Sequence, residues 1–415
     1  MSYLYRERLS LAHNCELQAE LGRLQMVNAI RDEQAAIECA QKLAMEFAQA
    51  SSERDKERKL PRFEVQQLAE SGFLGITVPQ AYGGINVSNI TLAQAVKTLS
   101  TGDSNIGQIP QGHFYVLEAL RHAGTEEQKR HFFKKALEGD LFGNAFAETG
   151  TKTVAECKTR ITQTASGYAI NGRKFYSTGA LFAQWIAVVG LTEDDKILLA
   201  LVQRDAAGIT IVDDWSGMGQ RTTASGTVVF ENVEVSKTDV LPHYLSFEQL
   251  TTQVVNSTLL HAAIDLGIAN AAANDAMQFV RNHSRPWIES GVEQACQDPF
   301  IIHQIGEMML QLHAAAAMLT RAGEFCDRAC EDMTESRIAE ASVTVAEAIA
   351  LAEQAAIFTT NKLFEVSGTK STLSQFNHDR HWRNARTHTL HDPVQWKYYR
   401  IGNYYLNGVN PPRSR

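Results

Sequence analysis

No apolar span of 18 residues runs anywhere through this 415-residue chain, so a membrane-crossing helix is not expected. Residues 1–11 mix charged and polar side chains with apolar ones and lack the apolar stretch of a signal peptide. Cysteine is scarce and scattered, at positions 15, 39, 157, 296, 326 and 330, with no Cys-x-x-Cys pair. Reduced thiols in a cytoplasmic protein are the reading that follows. Positive charge is not in excess either. The net charge of −8 disfavours nucleic acid or an anionic membrane as the main partner, since both need a basic surface. No Gly-x-Gly-x-x-Gly follows a strand-like run, so a Rossmann dinucleotide site has no support. Internal repeats and low-complexity tracts are also missing. What is there is the material of a globular core: 44% hydrophobic and 21% charged residues.

Three regimes of patterning follow an N-terminal extension over residues 1–28. Residues 29–140 are helical in character. Within them Ser51-Ser52-Glu53-Arg54-Asp55-Lys56-Glu57-Arg58-Lys59 reads as a charge-rich connector, and Leu60-Pro61 opens the next helix. Val78-Pro79-Gln80-Ala81-Tyr82-Gly83-Gly84 reads as a loop, because proline and paired glycine stop helix and strand alike. Residues 141–241 turn to strand patterns. Asn171-Gly172, between Tyr168-Ala169-Ile170 and Arg173-Lys174-Phe175-Tyr176, is a strong hairpin signal. Residues 185–191 and 197–202 flank the acidic turn Glu193-Asp194-Asp195, and residues 227–235 add a further strand. From residue 242 to 415 helices return. Leu260, Ile264, Ile268 and Ala271 recur at helical spacing, as do Ile302, Ile305, Met309 and Leu312, then Val345, Ala348, Ala352 and Ala355. Small residues on these faces favour close helix packing. The expected fold class is α+β: a helical domain, a central β-barrel or sandwich, and a C-terminal four-helix bundle.

Chemistry concentrates near the end of the chain. Residues 380–398 hold Arg383-Asn384-Ala385-Arg386 and then His391-Asp392-Pro393. His391 is a candidate proton donor, because imidazole titrates close to neutrality. Asp392 could orient it or act as a base, although Asp-Pro is also a common helix start. His378, His381, His388 and His391 form two i, i+3 pairs, yet no carboxylate or cysteine set completes a metal pattern, and no metal is expected. Ser177 and Thr178 follow the aromatic pair Phe175-Tyr176, an order that an ordinary half-buried strand also produces. Arg281 carries a planar fork suited to phosphate oxygens, with Arg285 and Lys370 as weaker candidates.

Several segments together resemble the acyl-CoA dehydrogenase family over nearly the whole chain. Val78-Pro79 with Tyr82-Gly83-Gly84, Ala147-Glu148-Thr149-Gly150, Lys174-Phe175-Tyr176-Ser177-Thr178-Gly179 and Arg383-Asn384-Ala385-Arg386 occur in the family's order. Where that family carries its catalytic Tyr-Glu-Gly, this chain has His391-Asp392-Pro393. Gln108-Ile109-Pro110-Gln111, Phe142-Gly143-Asn144-Ala145, Asp213-Asp214-Trp215 and Gly219-Gln220-Arg221 are similar to the sulfur-acquisition branch, relatives of dibenzothiophene monooxygenase. The resemblance implies a two-component monooxygenase. A separate NAD(P)H-dependent flavin reductase supplies reduced FMN, and this chain uses it with O2 on a small organosulfur compound through a flavin C4a-(hydro)peroxide. It also implies a homotetramer with flavin sites at subunit contacts.

Under that resemblance His391, Ser177 and Asp392 carry the catalysis. Asn144, Phe175, Tyr176, Ser177, Thr178, Trp215, Arg281, Gly368, Thr369 and Lys370 hold the flavin, and His113, Tyr115, Trp215 and His391 line the substrate pocket. The reduced turn Val366-Ser367-Gly368-Thr369-Lys370 suits a mononucleotide, so FMN is expected and FAD is the alternative. The competing readings are an FAD-dependent acyl-CoA dehydrogenase with Asp392 as base, and a catalytically silent flavin-binding relative. Sulfone, sulfide, sulfinate and aromatic thioether substrates all stay open.

Overall fold

The computed structural model describes residues 30–153 and 156–412. The extension over residues 1–28, with Cys15, lies outside them. Helices fill most of the described chain from Glu33 to Leu137, and several of their ends are set by short polar caps. Ser88 accepts from the Thr91 amide at the start of Asn89–Gly102, and Thr125 with Gln128 forms a capping box on Glu126–Leu137. Beyond them, among the described residues, eight strands form one sheet: β1 (Phe142–Ala145), β2 (Arg160–Gln163), β3 (Gly167–Lys174), β4 (Trp185–Leu191), β5 (Ile197–Gln203), β6 (Ile209–Val212), β7 (Thr227–Ser236) and β8 (Val240–Leu241). Their order is β6-β7-β3-β2-β4-β5-β8, with β1 pairing β4 in parallel. Most neighbours are antiparallel, as in a meander that curls into half a barrel. The acidic turn between β4 and β5 is where the sequence put it, closed by the Thr192 amide on the Lys196 carbonyl at 2.9 Å.

The hairpin expected at Asn171-Gly172 is not there. Both residues lie inside β3, where the register against β7 shifts between Ile170 and Gly172. Asn171 exchanges side-chain bonds with Asn232 across the bulge, 2.8 Å to the Asn232 amide and 3.0 Å between side chains. A Cβ at Gly172 would sit 2.3 Å from Thr159 Oγ1, so the glycine serves close packing inside a strand rather than a tight turn. The real β2–β3 turn is at Thr164–Gly167, where the Thr164 amide donates to the Gly167 carbonyl at 3.0 Å. The strand expected to run on through Tyr176 stops at Lys174.

Long helices Gln253–Asn282, Pro299–Glu331 and Glu335–Ser367 make the C-terminal bundle, followed by Asp379–His388 and Val394–Asn407. Asp298 caps the second through the Phe300 amide at 2.8 Å and Thr334 the third through the Arg337 amide at 3.3 Å. Glu335–Ser367 corrects the expectation about apolar spans: it is long and apolar enough to cross a membrane by length and composition. In this fold 61% of its most apolar window is buried within the protein, where its alanine-rich face meets the other two helices.

The run Ser51 to Lys59 is also not a solvated connector. It forms the helix Ser51–Glu57, and Arg54 and Asp55 are buried at 3% and 1% exposure. Arg54 Nη2 reaches Asp103 Oδ2 at 2.8 Å and Nη1 reaches Glu64 at 2.8 Å. Asp55 receives Arg383 Nη2 at 2.6 Å and the Asn377 amide at 2.9 Å. Alternating charges thus pair across the fold, where removing one partner leaves a charge without compensation. Arg383→Met should cost about 3–5 kcal/mol, the usual loss when a buried pair is broken. Arg160→Met, which removes an exposed pair with Asp195, should leave the unfolding midpoint unchanged. Urea titrations of both variants against the parent check the contrast.

Candidate active site

Three groups of side chains stand where the sequence placed chemistry. The first surrounds the segment after β3. Tyr176 takes a left-handed φ of 57°, which turns the chain sharply and leaves its ring half exposed. Phe175, Tyr176 and Trp215 then form an aromatic wall, with ring centroids 4.9, 6.0 and 6.3 Å apart. Behind it Ser177 is 1% exposed, and its Oγ is buried with no hydrogen-bond partner among the described residues; the same holds for Asn144 Oδ1. The Asn144 amide donates to the Thr178 carbonyl at 3.3 Å, which brings β1 beside the segment that follows β3 and so brings the two orphaned residues close. Thr178 Oγ1 is already paired with Ser225 Oγ at 2.7 Å. Buried polar atoms without partners are costly, so a polar ligand edge fits here.

Sequence reasoning missed Gln220 as a site residue. Its side-chain amide is likewise buried and unpartnered, while its carbonyl accepts from Trp215 Nε1 at 2.8 Å. A positive φ of 50° and the neighbouring Gly219 mark the turn. A Cβ at Gly219 would lie 1.9 Å from the Arg383 carbonyl oxygen, so this turn presses directly on the C-terminal region.

The second group is the histidine cluster at the end of Asp379–His388. The ring of His391 stacks on His261 with centroids 4.1 Å apart and planes at 30°. His261 Nδ1 lies 3.3 Å from His388 Nε2, and His388 Nδ1 lies 2.6 Å from Asp265 Oδ1. His388 and Asp265 are buried, at 1% and 3% side-chain exposure. His261 and Asp265 escaped the sequence reading; the signal was a histidine and an aspartate one helical turn apart in an otherwise alanine-rich apolar helix. Asp392 is not the helix cap that its proline suggested: Val394–Asn407 begins without a side-chain cap. Its Oδ2 instead accepts from Lys397 Nζ at 3.0 Å, and its Oδ1 is 3.6 Å from His391 Nδ1. His378 and His381 lie elsewhere, His378 among Phe279 and Phe376, and His381 on Asp275 at 2.7 Å.

The third group is at the far end of the bundle helices. Ser284 Oγ donates to the Ser367 carbonyl at 3.0 Å, which brings the segment after Arg281 beside Gly368, Thr369 and Lys370. Gly368 has a φ of 73°, and Arg281 is exposed with no hydrogen bond or ion pair among the described residues. No hydrogen bond, ion pair or ring contact joins this group to Asn144 or Ser177 among those residues.

Two pocket candidates have other places. His113 is fully buried; its Nε2–H donates to the Leu74 carbonyl at 2.8 Å and its Nδ1 accepts from the Phe142 amide at 3.2 Å. Burial pushes it down to about 4, against the Leu74 bond, so it is neutral and both nitrogens are committed. It is packed as a core residue, at 0% exposure. Tyr115 pairs with His243 Nε2 at 2.9 Å and packs on Phe146. A small cleft of about 70 Å³ opens beside Asp392, lined among others by Val254, Thr258, Ile338, Val345 and Lys397, and by none of the four expected pocket residues.

Models of the acyl-CoA dehydrogenase N-terminal, middle and C-terminal domains match residues 31–140, 145–233 and 259–396. The chain belongs to the acyl-CoA dehydrogenase family, in the sulfur-acquisition branch that holds the dibenzothiophene monooxygenases. It is 32% identical to the dibenzothiophene monooxygenase of Rhodococcus erythropolis, over 90% of this chain and 93% of that one. It is 30% identical to the probable FMNH2-dependent monooxygenase SfnC of Pseudomonas putida, over 91% and 96%. The crystal structure of TdsC from Paenibacillus sp. A11-2 with FMN and indole superposes with a TM-score of 0.87 at 30% identity, covering 91% of this chain and 98% of that one.

One buried pair supports the end of β3. Lys174 Nζ, wholly buried, meets Glu148 Oε1 at 2.8 Å, and Glu148 also accepts from the Thr159 amide and hydroxyl. Burial alone would raise the Glu148 carboxyl, but the Lys174, Thr159 and Lys158 bonds outweigh it and hold it at about 2, below the ordinary 4.5. A depressed carboxyl contributes stability that is complete above pH 4.5 and is lost as pH falls toward 2. Glu148→Gln should therefore be less stable than the parent near neutrality, and the gap should close as pH falls through that window. Urea midpoints across the acid range test this; a gap that stays constant would contradict the pairing.

Proposed function

We propose that this chain is the oxygenase of a two-component system: a separate NAD(P)H-dependent reductase supplies reduced FMN, and the chain uses it with O2 to oxidise a small organosulfur compound in the cytoplasm. The observation that carries the reading is at the end of Asp379–His388. A dehydrogenase needs an available carboxylate there, whereas this chain has His391 stacked on His261, and the adjacent carboxylate Asp392 is engaged by Lys397. TdsC, solved with FMN, and SfnC, described as FMNH2-dependent, are similar over nine-tenths of the chain.

Bound reduced FMN would supply the two electrons that activate O2. Ser177 Oγ and Asn144 Oδ1 would meet the polar edge of the ring, because both are buried and lack a partner. Phe175, Tyr176 and Trp215 would cover the ring and keep water from it. His391 would hand a proton to the reacting oxygen and recover one afterwards. Arg281, with the turn Gly368-Thr369-Lys370, would grip the phosphate. Since nothing among the described residues of one chain links that grip to Ser177, the reading gives it to a neighbouring copy in a homotetramer. Exposed apolar side chains on the bundle, Trp287, Ile288, Phe300, Leu310 and Leu406, support such an assembly.

His391→Phe should keep FMN binding but divert reduced flavin to hydrogen peroxide, cutting product per flavin by about 10²-fold, as expected when a positioned acid is lost. Ser177→Ala should show a milder form, since one hydroxyl bond is worth about 0.5–1.5 kcal/mol. Peroxide counted against oxidised substrate reads both; an unchanged ratio in His391→Phe would remove its role. Arg281→Ala should weaken FMN by about 1.5–3 kcal/mol, the range of a charge-assisted contact. Fluorescence titration measures it, and a solution mass of one chain would refute the shared site.

A further inference from the structure

The Asp265–His388–His261 line runs from the bundle interior to the ring of His391, and the proposed function gives a proton role to His391 alone. Each link fixes the next. A carboxylate oxygen can only accept, so the 2.6 Å contact puts the His388 proton on Nδ1. That leaves His388 Nε2 as an acceptor in the neutral ring, and His261 must then donate from Nδ1 across 3.3 Å. The basic nitrogen of His261 becomes Nε2, on the ring that stacks against His391. A free neutral imidazole has no such constraint, so the Nδ1–H form of His261 is a state imposed from Asp265, two links away.

We propose that Asp265, His388 and His261 are positioning residues that form a buried proton wire serving His391. A proton arriving at His261 Nε2 releases the Nδ1 proton to His388 Nε2. His388 then carries the positive charge against the Asp265 carboxylate, and His261 is neutral again. No bond other than N–H is made or broken, and the charge moves inward, away from the stacked pair. This matters because two rings 4.1 Å apart resist carrying a charge each. The wire gives protons near His391 a place to go and to return from without opening the site to water.

Charged groups flank this line on several of the elements around it. His261 and Asp265 come from Gln253–Asn282, and Arg386 and His388 from Asp379–His388. His391 and Asp392 follow in the loop, with Lys397 on Asp392 from Val394–Asn407. Glu353 comes from Glu335–Ser367, 3.8 Å from Arg386. Burial first, and then the negative charge of Asp265, push the Glu353 carboxyl up.

The inference rests on His391 being the proton-handling residue, but its first test needs neither flavin nor turnover. In the flavin-free parent, 15N-labelled imidazoles assigned by His261→Gln and His388→Gln should show His261 and His388 both as Nδ1–H tautomers at neutral pH. Asp265→Asn, whose amide can donate to His388 Nδ1, should invert both to Nε2–H, and Asp265→Glu should restore the parent pattern. With reduced FMN and O2, Asp265→Asn should then lower product per flavin by at least about tenfold at unchanged FMN affinity, in the range of lost general-acid assistance. A parent spectrum with His261 as Nε2–H overturns the wire without any variant, and so covers the case in which Asp265→Asn does not fold. Inverted tautomers with an unchanged product ratio overturn its role in catalysis. Failure of His391→Phe to uncouple would instead remove the proposed function of His391 while leaving the tautomer result standing.

Discussion

The contact on which the site depends is the buried pair between Asp55 and Arg383. Asp55 comes from a short helix near the start of the fold, and Arg383 from the helix that ends beside His391. Around them the bonds multiply. Arg383 Nη1 donates to the Met218 carbonyl at 3.0 Å, and Asn384 Oδ1 accepts from the Gln220 amide at 2.7 Å. Asn384 Nδ2 donates to Ser104 Oγ at 3.1 Å, and the Gly219 amide donates to Thr387 Oγ1 at 3.1 Å. Helical region, sheet region and bundle are therefore pinned at one place, and that place lies between Trp215 and the histidine cluster. Pairs of this kind contribute little net stability, because two charges have been taken out of water, but they penalise every arrangement that leaves either one alone. Their effect here is registration: the aromatic wall and the histidines keep one relative position.

Arg58 extends the same logic. It ends the Ser51–Glu57 helix in a left-handed conformation, with a φ of 52°, and its guanidinium reaches the Trp215 carbonyl at 3.2 Å and Asp213 Oδ2 at 3.2 Å. The Trp215 turn is thus held from both sides, by Arg58 and by the Gln220 carbonyl. On the opposite side of the wall the Glu148–Lys174 pair holds the end of β3, immediately before Phe175. Rigid support of this sort leaves Ser177 and Asn144 unable to relax toward partners of their own, which explains how two buried polar atoms can stay unsatisfied in a closely packed region.

Periodicity made the helices and most strands legible, since i, i+4 and alternating patterns report burial directly. It failed where side-chain chemistry was spent on something other than the local element. Asn171-Gly172 has the composition of a turn, but the glycine is needed to clear Thr159 and the asparagine to bond Asn232. The Ser51 to Lys59 run has the composition of a solvated connector, yet its charges find partners more than forty residues away, a fact that no local window contains. The family-like segments located Ser177, Asn144 and His391 as candidates. They did not reveal His261, Asp265 or the buried Gln220 amide, because a lone polar residue within an apolar helix or turn reads as packing until its partner is known. His113 shows the converse: it sits in a family-like segment, and both its nitrogens are committed to backbone.

The apolarity of Glu335–Ser367 has a consequence during synthesis. Its covering surfaces, Gln253–Asn282 and Pro299–Glu331, precede it in the chain, so they leave the ribosome first. An antiparallel pair of helices can stand ready when the most apolar helix emerges, and the interval in which that helix lies bare to water, membrane or targeting factors is shortened. A circular permutation that moved Glu335–Ser367 ahead of its two covers would keep every contact of the finished fold. It would nevertheless release, at the outset, a segment that by length and composition is fit for a bilayer.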